Sequence, residues 1–149
     1  MNVAEQFSHW NLVHRDLLRA LDLLADEQLN FVPRQGHWSL GKVARHIAGA
    51  KRGWIRYAVT QELSSRPDFP AQGYATVQAD EGLLSDVHAD TMDFLESLDP
   101  ERLDEMVGTP WGEEIPLRWI IWHVLEHDIH HRGEIYLMLG LMGIDAPEI

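Results

Sequence analysis

Residues 123–135 read HVLEHDIHHRGEI and hold four of the chain's nine histidines. They lie inside a segment, about 116 to 140, that reads as one long helix. Pro116 suits a first helical position, and Gly140 or Gly143 would end it. Turning about 100° per residue, Leu117, Ile120, Val124, Ile135 and Met138 fall within roughly 60° of one line. His127 and His131 fall in the same arc, where apolar residues normally sit. His123 lies at its edge and His130 further round.

Three further helices are predicted upstream. Over 3–26, Val3, Phe7, Trp10, His14, Leu17, Leu21 and Leu24 form one stripe at helical spacing. Pro33 and Gly36 then break the chain. Ser39 is the expected N-cap of a helix over about 40–61, with Val43, Ile47, Ala50, Trp54 and Tyr57 as its apolar face. The third helix covers 77–97, with Leu83, Leu84, Val87, Met92, Phe94, Leu95 and Leu98 apolar. Turn residues at Gly108-Thr109-Pro110 and Gly112 leave room for one short hairpin before the last helix. Four amphipathic helices predict an all-α four-helix bundle, one domain over 1–149, with long connections after the second and third helices.

Composition narrows the chemistry. The 149 residues include no cysteine, which excludes disulfides, thiolate ligands and a cysteine nucleophile. Any metal must be held by imidazole, carboxylate or water. The net charge of −12 disfavours nucleic-acid binding. The one basic run, Lys42, Arg45, Lys51, Arg52 and Arg56, reads as the polar side of a helix. The opening MNVAEQFSHW lacks the basic end and apolar run of a secretory signal, and no apolar stretch suits a membrane span. The cytoplasm is the expected compartment.

Histidines four apart on a helix stack one turn above the other, so His127 and His131 can aim nitrogens at one point. Asp128 stands where a zincin protease needs glutamate, and no third ligand lies downstream, which argues against that class. His46, at the edge of the second helix's stripe, can look across the bundle as a third ligand. Three neutral imidazoles plus water describe an open zinc, nickel or iron site. Glu126, Asp128, His130 and Glu134 are nearby partners for the other ring nitrogens. The plainer alternative is a set of hydrogen-bonded core histidines, and His14 is read that way, with an outside claim on the site. His9, His37 and His88 read as surface or loop residues. The six tryptophans read mostly as core, with Trp38, Trp54, Trp111 and Trp122 as pocket candidates.

At these residues the chain resembles a known family. GHWSLGKVARHIAGAKRGWI (36–55), together with EHDIHHRGEI (126–135), is similar to the DinB-like (YfiT-like) bundle proteins; VHRDLLRALDLLADEQLNFVP (13–33) fits that family's first helix and loop. The resemblance implies an up-down-down-up four-helix bundle. It implies a nickel or zinc ion on His46, His127 and His131, with His130 flanking and Arg132 and Glu134 inside the motif without an assigned role. Family habit implies a homodimer. Some relatives are transferases or isomerases that use a low-molecular-weight thiol such as bacillithiol or mycothiol; others are described as metal hydrolases.

Three functions compete. A metal-dependent enzyme would activate a small-molecule thiol or water, with His123, His130 or Glu126 as acid or base. A metal sensor or store would tend to close its shell with a fourth protein ligand, for which His14 and His123 are the candidates. A purely structural bundle would hold no metal.

Overall fold

The first predicted helix is broken at Phe7–Ser8. Asn2 and Glu5 cap each other around a short α1 (Val3–Gln6), and α2 (His9–Asp22) comes next. Ser39 accepts a hydrogen bond from the Lys42 amide and starts α3 (Leu40–Arg52). α4 covers Val77–Ser97, capped by Thr76. Strands β1 (Met106–Gly108) and β2 (Glu114–Pro116) form the expected hairpin, with Val107 opposite Ile115. α5 runs Leu117–Leu141. It ends where Gly143 takes φ 76° and the Ile144 amide donates back to the Leu139 carbonyl, a left-handed exit that glycine adopts without strain. This computed structural model describes all 149 residues and is predominantly helical.

The second predicted helix does not stay α-helical to 61. Beyond Arg52 it widens into a π-helical segment, Gly53–Val59, where the Thr60 amide reaches back five residues to the Ile55 carbonyl. Each wide turn takes up an extra residue and rotates the next side chains about the helix axis. Ile55 and Ala58 continue the buried Val43–Ile47–Lys51 line, while Tyr57, expected on the core stripe, follows His46 and Ala50 along a cavity, and Trp54 lies between that cavity and the core. Gln61, at φ 56°, ends the segment and donates to the Gly108 carbonyl, tying it to the hairpin.

α2 packs against α4 and α5, and α3 packs against the same two helices. The core between them has two apolar layers. One gathers Leu17, Leu21, Ile47, Leu84, Val87 and Met138; the other gathers Trp10, Val13, Ile55, Leu95, Ile120 and Val124. Every long helix interrupts its apolar stripe between the layers: α2 with His14 and Asp16, α3 with Lys51, α4 with His88 and Thr91, α5 with Asp128 and Arg132.

This polar waist corrects several sequence expectations. Lys51 is not on a solvated face; it lies four residues after Ile47 on the buried stripe and is 1% exposed. His88 is not a surface residue. Its ring stacks on His14 at 4.2 Å, and its nitrogens meet Lys51 Nζ at 3.3 Å and Asn11 Oδ1 at 2.8 Å. Among the tryptophans only Trp10 is fully buried, whereas Trp119 and Trp122 are about half exposed.

No helix is long and apolar enough to cross a membrane.

Candidate metal centre

α3 and α5 bring three histidines together beside the waist. His46 comes from the middle of α3, and His127 and His131 from consecutive turns of α5. One nitrogen from each ring lies within 4.8 Å of the others, so the group could hold a metal ion. His127 Nε2 and His46 Nε2 are 2.9 Å apart. A tetrahedral ion with nitrogen bonds of 2.0–2.1 Å separates two donors by about 3.3 Å, so small ring movements suffice to admit one.

The donor chemistry fits such an ion. Burial, then the neighbouring His131 and His46 rings, pushes His127 down to about 3. Burial, then His131, also lowers His46, with Glu134 opposing. Both rings are therefore neutral at physiological pH, the form in which imidazole binds a metal. Trp38 stands edge-on against His46 at 4.9 Å.

Glu134 would supply an outer shell to such an ion. The His131 Nδ1–H donates to Glu134 Oε2 at 2.7 Å, which leaves Nε2 of that ring as the free donor atom. Glu134 Oε1 lies 3.0 Å from His37 Nε2, and His37 Nδ1 lies 2.7 Å from the Trp38 carbonyl oxygen. Thus His37, expected as a plain loop residue, fastens the loop before α3 to the site. His127 differs from His131: its Nδ1 is buried without a partner.

The other expected partners go elsewhere. Asp128 holds no ring of the three-histidine group; it accepts from Lys51 Nζ and Trp10 Nε1, each at 2.6 Å. Arg132 binds Asp16 at 3.0 Å inside the waist. His130 and Glu126 are exposed. His123 lies between Trp119, on which it stacks at 4.6 Å, and Trp54. Neither His14 nor His123 belongs to the three-histidine group.

A cavity of about 640 Å³ opens beside His46 and His127. Trp38, Trp54 and Trp111 line it as expected, but Trp122 does not; it packs on Phe7. Residues 66–71 of the long connection after the second helix form part of the wall. His123 is the one proposed acid or base that reaches this cavity.

Comparison with known proteins gives the chain a family and a fold. Residues 9–135 match the DinB superfamily. The chain is 22% identical over 134 residues to YrdA, an uncharacterized protein of Bacillus subtilis (strain 168), covering 88% of this chain and 77% of that one. The crystal structure of a DinB-like protein from Bacillus cereus ATCC 10987 superposes with TM-score 0.81 at 21% identity, covering 96% of this chain and 94% of the other. A DinB-like protein of Bacillus subtilis, YjoA, gives TM-score 0.74 at 16% identity over 95% and 94% of the two chains.

Proposed function

The chain belongs to the DinB superfamily, and from that premise we propose that it is a metal-dependent enzyme with one divalent transition ion on His46, His127 and His131. The observation that carries this reading is the convergence of three imidazoles, of which His46 and His127 line a cavity large enough for a substrate. Nickel or zinc is the first choice, with iron third. Such an ion, when bound, lowers the pKa of a thiol or water in its open position. The reaction is then a thiol-dependent transfer or a hydrolysis. Because the chain has no cysteine, the thiol is a low-molecular-weight cosubstrate.

The protein's own residues orient and shelter that chemistry. Glu134 fixes the His131 tautomer, and Trp38 buttresses His46. His123, on the cavity wall beside Trp54, is placed to move a proton, which His130 and Glu126 are not. A sensor or store is disfavoured because neither His14 nor His123 completes the three-histidine shell. We read the whole chain as one domain of up-down-down-up topology. The long stretches after Val59 and Ser97, and the packing of both α2 and α3 on α4 and α5, support that course. We also read the chain as a cytoplasmic homodimer that binds neither nucleic acid nor membrane. Elemental analysis and then a screen of thiol transfer and hydrolysis test the function; a metal-loaded protein inactive in both classes would return it to a binding role.

A further inference from the structure

The cavity has a chemical character of its own. Most buried or half-buried cations of this acidic chain are matched to carboxylates: Lys51 to Asp128, Arg132 to Asp16, Arg56 to Asp90 and Arg45 to Asp80. Lys42 and Arg66, both at the cavity, form no ion pair. Each instead lies over an indole of the wall. Lys42 Nζ is 4.7 Å from the Trp38 ring, and the Arg66 guanidinium is 5.3 Å from the Trp111 ring. Trp111 in turn meets Trp54 edge to face at 5.3 Å. The lining holds a single carboxylate, Asp68, in a protein whose net charge is −12. An aromatic corner, in which a flat body lying on one indole meets the edge of the other, with two uncommitted cations beside it matches a ligand that is apolar at one end and anionic at the other.

We propose that this cavity binds a small organic carboxylate with a flat apolar body, the body against Trp54 and Trp111 and the carboxylate toward Lys42 and Arg66; this rests on the cavity being the substrate site of the proposed metal centre. Asp68 and the acidic field of the chain disfavour a dianion such as a phosphate monoester.

Calorimetric titration with naphthalene-2-carboxylate, its neutral primary amide and 2-naphthyl phosphate tests the proposal. Each titration is run on the full chain as purified and after chelator treatment, with metal content measured on the same samples. The expected result is one carboxylate per chain, bound about tenfold or more tighter than the amide and tighter than the phosphate. That preference persists in the chelated protein, weakens with added salt, and disappears in Lys42→Gln/Arg66→Gln while amide binding is unchanged. Equal binding of carboxylate and amide, tighter binding of the phosphate, or a double variant that keeps the preference would overturn it. A preference lost on chelation would also overturn it, because the carboxylate would then be held by the metal. Metal content judges the metal centre separately.

Discussion

Lys51 Nζ lies 2.6 Å from Asp128 Oδ2, with the two side chains 1% and 0% exposed. Asp128 is the residue directly after His127, so this pair fixes the rotation of α5 at the level of the three-histidine group. Burial pushes the Asp128 carboxyl up, and the Lys51 ammonium and Trp10 indole draw it back. Removing one partner leaves a charge buried alone. Asp128→Ala is expected to cost about 3–5 kcal/mol, and Lys51→Met/Asp128→Leu to recover much of that loss. Urea unfolding measures both; an Asp128→Ala variant within about 1 kcal/mol of the parent would contradict the role.

Glu134 holds His131 through Nδ1 at 2.7 Å. Loss of such an outer-shell carboxylate weakens metal affinity by about 10–100-fold. Glu134→Ala is expected in that range, with Glu134→Gln milder because its carbonyl oxygen still accepts. Competition against a chromophoric chelator reads both, and equal affinities in parent and alanine variant would remove Glu134 from the site.

The stacked His14 and His88 make folding sensitive to acid. Burial first, then Lys51, lowers His14 to about 4 and His88 to about 2, whereas both titrate near 6.5 when unfolded. As pH falls below 6.5 the unfolded chain takes up protons that the folded chain refuses, so stability present above 6.5 is lost toward 4. Asp80, raised to about 6, and Glu81, raised to about 7, both mainly by burial, act with the opposite sign and lose stability as pH rises toward those values. The difference between parent and His14→Phe isolates the histidine. The variant should flatten the slope between pH 6.5 and 4 by at most one proton, about 1.4 kcal/mol per pH unit. Parallel stability profiles for the two proteins would show that His14 is not held neutral.

α5 leaves Trp122, Ile129, Leu137 and Leu141 exposed on its outer side. Such a surface is consistent with the homodimer that we propose. Light scattering is expected to give about twice the 17.1 kDa chain mass. Leu137→Glu should shift the mass toward one chain; a parent that is already monomeric would end this reading.

Period and breakers in the sequence locate the long helices, and four-residue spacing brings His127 and His131 together, with His46 facing them. The π-helical Gly53–Val59 is not legible there, because local sequence does not reveal a widened turn; Trp54 and Tyr57 read as core only when Ala50 is taken as the step after Ile47, whereas the buried line steps through Lys51 to Ile55 and leaves Ala50, Trp54 and Tyr57 on the cavity. Lys51 and His88 are polar, and polarity alone suggests exposure. Their signal is nonetheless present: Lys51 continues the Val43–Ile47 stripe, and His88 sits next to the buried Val87 on α4. What hides it is pairing across the waist, since Asp128 and Asn11 lie far from them in sequence.

The most direct measurement is elemental analysis of untagged, chelator-free protein beside His46→Ala, His127→Ala and His131→Ala. A metal centre on these residues predicts about one transition metal per chain in the parent and its loss in each variant, with helical content retained by circular dichroism. A parent that takes up no zinc or nickel when these are supplied, or variants that keep full metal content, would contradict it.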